Sequence, residues 1–319
     1  MKILITGCAG FIGANFTKYW LDKYTEDTVV GVDCLTYAAN IPALSELKSH
    51  GKFIFYKTNI SDCQAMEKIF QSENPDMVIN FAAESHVDRS ITDSRIFVET
   101  NVLGTQTLLD LCLKYGTKRF HQISTDEVYG DLPLDADEAF TENSPLKPSS
   151  PYSATKASAD MMVLAYFRTH GLPVSISRSA NNYGKYQHAE KLIPKVIEHA
   201  LNDMPFPIYG DGMNIRDWVY TEDHCCAIDM IVRKSPAGMV YNVGGGILLS
   251  NIALVEEILR RLGKSKDLIT FVADRKGHDR KYALNCNKLI SELDWKPKTD
   301  FSDGLKETIA WYKTLLKST

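Results

Sequence analysis

No apolar run in this 319-residue chain approaches the roughly 20 residues that a membrane-spanning helix needs. The N-terminus offers only Ile3, Leu4 and Ile5 before Thr6, too short a stretch for the core of a secretion signal. The seven cysteines (Cys8, Cys34, Cys63, Cys112, Cys225, Cys226, Cys286) are odd in number, scattered and free of any Cys-x-x-Cys spacing. That excludes a disulfide framework and a zinc cage. The eight histidines show no His-Glu-x-x-His spacing, and His224-Cys225-Cys226 reads as the start of a helix, so no metal is expected. Basic blocks are missing too, and the net charge is −4, so nothing attracts a nucleic acid. The expectation is a cytoplasmic protein with neither membrane nor nucleic-acid partners, long enough for two domains.

What is present is alternation. The β-rich runs KILIT, TVVGVD, KFIFYKT, DMVINFAA, RFHQIST and VSISRSA are separated by longer helical patterns, as in βαβ units that build a parallel sheet covered on both faces. After about Ser179 the pattern changes to isolated helices (EKLIPKVIEHAL; LSNIALVEEILRRLG), loops and short strands such as RDWVY and MVYNVGG. The division expected is 1–178 for a first domain and 179–319 for a smaller lobe, with the strands near 215–243 rejoining the main sheet.

TGCAGFIG, Thr6 to Gly13, follows the first strand and opens a helix, with Gly7, Gly10 and Gly13 three apart. Glycines in that context let a pyrophosphate approach backbone N–H groups at a helix N-terminus. Asp33 ends the second strand about 20 residues farther on, where a ribose-binding acid belongs. Its charge repels a 2′-phosphate and no arginine follows, which favours NAD over NADP. The fold class is therefore α/β, a Rossmann-type doubly wound parallel sheet with a smaller C-terminal substrate-binding lobe.

Tyr152 and Lys156, in YSATKASADMMV, lie four apart and so on one helix face, with Ala154, Ala157, Met161 and Leu164 as the expected buried side. An ammonium beside a phenol stabilises the phenolate. STDEVYG places Asp126 and Glu127 after Thr125 at the end of a strand, where a sheet meets its ligand.

TGxxGxxG, Asp33 and the set Thr125, Tyr152 and Lys156 together resemble the extended short-chain dehydrogenase/reductases. Within them, AAESHVDRSI, STDEVYG, PYSATKAS, NNYG, EKLIP, NIRDWVY and DRKGHDRKY are similar to the dTDP-glucose 4,6-dehydratase family over almost the whole length. The resemblance implies that Thr125 bonds the sugar 4-hydroxyl, Tyr152 takes its proton, and C4 passes hydride to NAD. The 4-keto group then acidifies C5, so Glu127 serves as base and Asp126 as acid to the departing C6 hydroxyl, before hydride returns to C6. It also implies cofactor contacts from Phe11, Ile12, Leu35, Thr36, Asn59 and Ile60 beside the glycines, and from Ala82, Ala83, Thr100 and Asn182. Substrate contacts are implied for Ser85, Asn181, Lys191, Pro207, Tyr209 and Arg216, and for Asn251, Arg275, His278 and Tyr282. Arg216 and Arg275 suit a diphosphate, and Tyr209 offers a face to a base.

Cys8, Asn59, Lys185 and His188-Ala189 depart from the family pattern, the last two beside the substrate. The substrate expected is a nucleotide-diphosphate hexose, dTDP-glucose or a UDP- or CDP-linked relative. A nucleotide-sugar epimerase or decarboxylase has no need of the Asp126-Glu127 pair. A non-catalytic NAD-binding regulator has no need of Thr125, Tyr152 and Lys156. Apolar residues on more than one face of two helices (Val102, Leu103, Leu108, Leu109 and Leu111; Met161, Met162, Val163, Leu164 and Phe167) accord with the homodimer that the resemblance implies.

Overall fold

The computed structural model describes residues 1–317. Its strands are β1 (Lys2–Thr6), β2 (Thr28–Asp33), β3 (Phe53–Lys57), β4 (Met77–Asn80), β5 (Arg119–Thr125) and β6 (Val174–Ser179), followed by β7 (Asn181–Tyr183), β8 (Phe206–Tyr209), β9 (Ile215–Tyr220), β10 (Met239–Val243), β11 (Leu248–Ser250) and β12 (Ile269–Val272). Seven form a parallel sheet in the order β10-β6-β5-β4-β1-β2-β3. The order reverses between β1 and β4, and a crevice opens at the carboxyl ends of the strands beside such a reversal. No helix among the described residues is long and apolar enough to cross a membrane.

The sheet is buried on both faces. Ile3, Ile5, Val29 and Ile79 pack with Phe16 and Trp20 on one side; Leu4, Val30, Val78 and Ile176 pack with Leu108, Leu109 and Val163 on the other. A third core joins β7, β8 and β9 to the later helices through Tyr183, Ile193, Trp218, Leu254 and Ile309.

The strands near 215–243 separate. β10 takes the sheet's outer edge beside β6, Val240 opposite Ile176. β9 does not rejoin the sheet, contrary to the sequence expectation. It pairs with β7 and, antiparallel, with β11. The reason is that β6 has one free edge, which β10 fills, while Trp218 and Tyr220 of β9 are drawn into the third core.

The helix expected near Asn101 begins earlier, passing through a wide π-type turn at Val98–Gly104 before Thr105–Tyr115. Within that turn the Asn101 amide donates to the Glu84 carbonyl at 3.0 Å and to Thr155 Oγ1 at 2.9 Å, pinning the loop after β4. The helix Pro151–His170 is set by a Ser150/Ser153 capping box with Pro151 in its first turn, and ends at Gly171 in the left-handed region. Its buried side is only partly the one expected: Ala157 is buried and Leu164 packs against the core. Ala154 and Met161 are exposed, whereas Tyr152, Ser153, Thr155, Lys156, Ala159 and Asp160 are buried. The helix's first half stands over the site, so its inward face is polar.

Two buried histidines sit near the strand ends. His121 of β5 hydrogen-bonds Ser175 and Ser177 of β6 at 2.9 and 3.1 Å, and His224 Nδ1 lies 2.8 Å from Asn182 Oδ1. Burial pushes both below the ordinary imidazole value, His224 to about 3. Because the unfolded chain binds protons that the folded chain refuses, their contribution is fully present above about pH 6.5 and declines below it by ~1.4 kcal/mol per pH unit for each histidine. Urea unfolding at pH 7 and pH 5 is expected to show that loss, with a shallower dependence in His224→Gln.

Candidate active site

A single cleft runs along the carboxyl ends of β1, β2, β4, β5 and β6. Its walls carry Gly7, Gly10, Phe11, Ile12, Gly13, Asp33 and Thr36 at one end, and Thr125, Asp126, Glu127, Tyr152 and Lys156 at the other. Asn59, Ile60, Ala82, Ala83, Thr100 and Asn182 line it between, with Ser85, Asn181 and Lys191 toward the reactive end.

The glycine end is built for close approach. Gly7 has φ +66°, and a Cβ there would stand 2.7 Å from the Ala82 nitrogen; a Cβ on Gly13 would overlap the Gly7 carbonyl. The helix Phe11–Lys23 starts at Gly10 with no side-chain cap, so its leading N–H groups face the cleft unclaimed by any side chain. Asp33 Oδ2 accepts from Ala9 N at 3.0 Å and Oδ1 from Leu35 N at 2.8 Å. Burial pushes its carboxyl up while these two donors pull it down. Together the cradle, the uncapped helix and the fixed carboxylate fit a dinucleotide. Leu35 is not on the cleft wall; its side chain packs against the core and its backbone holds Asp33.

At the reactive end, Thr125 closes β5 and opens a 3₁₀ turn, Asp126–Tyr129. Thr125 Oγ1 donates to Asp126 Oδ1 at 3.1 Å and accepts from Glu127 N at 3.3 Å. Asp126 is 1% exposed and its Oδ2 has no partner. Burial, then the neighbouring Glu127, push its carboxyl well above the usual range. Burial raises Glu127 too, but Arg275, Arg216 and Lys191 all pull it back. Glu127 still stays above its ordinary value, but Asp126 is pushed up further, so Asp126 is the better placed of the two to hold a proton.

Lys156 donates at 2.6 Å to the Ile123 carbonyl, and burial lowers its ammonium to about 8. The sequence leads one to expect a phenol acidified by that ammonium. Instead burial, Glu127 and Asp126 push Tyr152 above its ordinary value, and the Thr125 hydroxyl pulls the other way.

Pro207, Tyr209, Arg216, Asn251, Arg275, His278 and Tyr282 are not on the cleft wall. They gather beyond it on β8, β9 and the following segments. The Arg216 guanidinium lies 4.3 Å from the Tyr282 ring centroid and donates to the Asp279 carbonyl at 2.8 Å. Tyr282 donates to Asp279, and His278 meets the Tyr209 ring edge-on. Arg275 stands 3.7 Å from Asp88, and Asn251 N donates to the Asn214 carbonyl. Pro207 lies in β8, opposite Thr270. Arg216 and Arg275 reach the reactive end through their charge on Glu127.

The cleft also includes His188, expected beside the substrate, and Glu84, Gln187 and Glu190, which sequence reasoning did not single out. Glu190 pairs with His86 at 3.5 Å and accepts from Tyr37 at 3.3 Å. The signal available was adjacency, since Glu84 precedes Ser85 and Glu190 precedes Lys191. Among the departures, Cys8 is buried, Asn59 accepts from Ser61 N, and the Lys185 carbonyl accepts from Asn15. His188 meets the Tyr37 ring edge-on at 5.5 Å.

The family described as GDP-mannose 4,6 dehydratase matches residues 4–308. The chain belongs to that family. Among relatives in sequence, it is 48% identical to a dTDP-glucose 4,6-dehydratase of Haemophilus influenzae, with 98% of each chain covered. Among solved structures, the dTDP-glucose 4,6-dehydratase DesIV of Streptomyces venezuelae, with NAD bound, is 43% identical with a TM-score of 0.95, over 98% of this chain and 97% of that one. A UDP-glucose 4-epimerase of Thermotoga maritima also superposes, at 30% identity and a TM-score of 0.91, over 99% and 100%. One backbone therefore serves proteins named for both reactions.

Proposed function

We propose that the protein dehydrates dTDP-glucose to its 4-keto-6-deoxy sugar, using NAD as a resident cofactor. The observation that carries this reading is the Asp126-Glu127 pair, Asp126 buried and Glu127 half-buried, unequal in proton affinity, beside Thr125, Tyr152 and Lys156. The names of the relatives support the substrate.

Bound NAD supplies a hydride acceptor for C4 and the same hydride for C6. The uncapped helix after Gly10 meets its pyrophosphate and the Asp33 carboxylate its ribose. Thr125 and Tyr152 hold the sugar 4-hydroxyl, and Tyr152 takes its proton as the phenolate, a form that burial opposes and a nearby ammonium favours. Lys156, cationic below about pH 8, keeps positive charge on the buried helix face beside that phenol. Once C4 is a ketone, Glu127 removes the C5 proton. Asp126, its proton retained by burial and by Glu127's charge, donates to the leaving C6 oxygen. An epimerase needs neither of these last two transfers. Lys191, Arg216 and Arg275 meet the diphosphate, with Ser85, Asn181, Pro207, Tyr209, Asn251, His278 and Tyr282 holding the rest of the nucleotide-sugar. On this reading the residues from 179 on supply most of that second site, while the first 178 hold the dinucleotide.

Incubation with dTDP-, UDP- and CDP-linked glucose, with products identified by mass and NMR, tests the reading. Loss of water from dTDP-glucose is expected, with deuterium from solvent at C5. Glu127→Gln is expected to lose both water elimination and C5 exchange by about 10²–10⁴-fold. Asp126→Asn slows elimination by a similar factor and retains exchange. Undiminished exchange in Glu127→Gln contradicts the assignment.

The same reading includes a cytoplasmic homodimer. Leu103 and Met161, 48% and 64% exposed, lie with the exposed Ile96 and Val98 on helical segments that pack against one another, and we assign them to contact with a second copy. Light scattering at micromolar protein is expected to give twice the chain mass; the mass of one chain contradicts the dimer.

A further inference from the structure

Behind the reactive side chains lies a buried ion pair that the chemistry above does not use. Arg178 stands in β6 opposite Ser124 of β5 and is 3% exposed. Its Nε donates to Asp160 Oδ2 at 2.8 Å, and its Nη1 donates to the Tyr129 hydroxyl at 3.0 Å. Asp160 lies one turn beyond Lys156 on the helix that carries Tyr152. Tyr129 ends the short turn that Asp126 and Glu127 begin. One guanidinium therefore joins the two elements that hold the acid, the base and the phenol.

Tyr129 is constrained on every other side. Its hydroxyl donates to Asn242 Oδ1 at 2.7 Å, and its ring stacks on Phe140 with centroids 5.0 Å apart and planes at 17°. The guanidinium also lies 5.0 Å from the ring centroid. Beyond it the chain leaves through Gly130 at φ +87°, where a Cβ would overlap the Lys147 carbonyl, so that position admits no side chain.

A buried ion pair is a poor way to add stability, since apolar side chains of similar volume hold two elements together at least as well. A guanidinium differs in geometry. Its planar fork fixes direction as well as distance to both partners. The charge has a further effect: burial lowers the Lys156 ammonium, and Asp160 acts to raise it.

We propose that Arg178 is a positioning residue that locks the Asp126–Tyr129 turn to the Tyr152–Lys156 helix through Tyr129 and Asp160. The proposal rests on the roles given to Asp126, Glu127 and Tyr152 above. Three proton transfers on adjacent carbons of one bound sugar require the donors and acceptors to keep their spacing between steps, and a misplacement of about 1 Å costs on the order of 10²-fold in rate.

Tyr129→Phe and Asp160→Asn cut the bridge at opposite ends with little change of shape. Each is purified with its dinucleotide, then assayed with dTDP-glucose and followed by hydrogen exchange of the 126–130 amides. Expected are a kcat lower by about 10- to 100-fold, a KM within about threefold of the parent, and faster exchange in that turn. The double variant should lose little more than the worse single one, because both cut the same link. A kcat within about twofold of the parent in Tyr129→Phe, a loss confined to KM, additive losses, or unchanged amide exchange overturns the proposal. Should Asp160→Asn fail to fold, Tyr129→Phe, which removes one hydroxyl, decides alone. Glu127→Gln run alongside separates the two levels: if it retains activity, the assigned roles fall, while amide exchange still reports whether Arg178 braces the turn.

Discussion

Two carboxyl groups on consecutive residues, at the end of a parallel strand covered on both faces, cannot both carry charge at low cost. Asp126 and Glu127 meet that constraint by being treated unequally. Asp126 is enclosed with one oxygen unpartnered, and Glu127 pushes its carboxyl up more than Arg216 pulls it down. Glu127 faces Arg275, Arg216 and Lys191. On the proposed reading the proton that the pair shares rests on Asp126, which is the arrangement an elimination across adjacent carbons requires: a base for one carbon and an acid for the oxygen on the next.

Most of the fold serves to bring those unequal surroundings together. The reversal between β1 and β4 opens the crevice, and β5 delivers Thr125 and the pair to its floor. The helix from Pro151 turns its polar face inward there, so Tyr152 and Lys156 are buried beside the pair. The cations come from elsewhere in the chain: Lys191 from just before the helix Leu192–Leu201, Arg216 from β9, Arg275 from the segment after β12. The segments beyond the main sheet thus supply the cations, Arg216 acting on both carboxyls and Arg275 and Lys191 on Glu127.

Much of this was legible in the sequence, because it depends on local signals. Short β-branched runs marked the strands, glycines spaced three apart after β1 marked the cradle, and a tyrosine four before a lysine marked the helix. What was not legible depends on competition between distant parts. RDWVY looks as fit for the main sheet as MVYNVGG, and only the single free edge of β6 decides between them. Ala154 and Met161 look like the inner face of a helix whose inner face lines a site instead. Lys156 looks like a partner for the phenol, yet its ammonium bonds the Ile123 carbonyl. Arg178 sits within a strand pattern, and nothing in SISRSA tells that its guanidinium reaches Asp160 and Tyr129.

The central claim is that at neutral pH one proton resides on Asp126 while Glu127 is ionised. Infrared difference spectra of the purified protein in the carboxylic-acid stretching region test it directly, with Asp126→Asn and Glu127→Gln each compared with the parent. The account predicts a protonated-carboxyl band at pH 7 that disappears in Asp126→Asn and persists in Glu127→Gln. A band that disappears in Glu127→Gln and persists in Asp126→Asn would contradict it, as would no difference between the parent and Asp126→Asn.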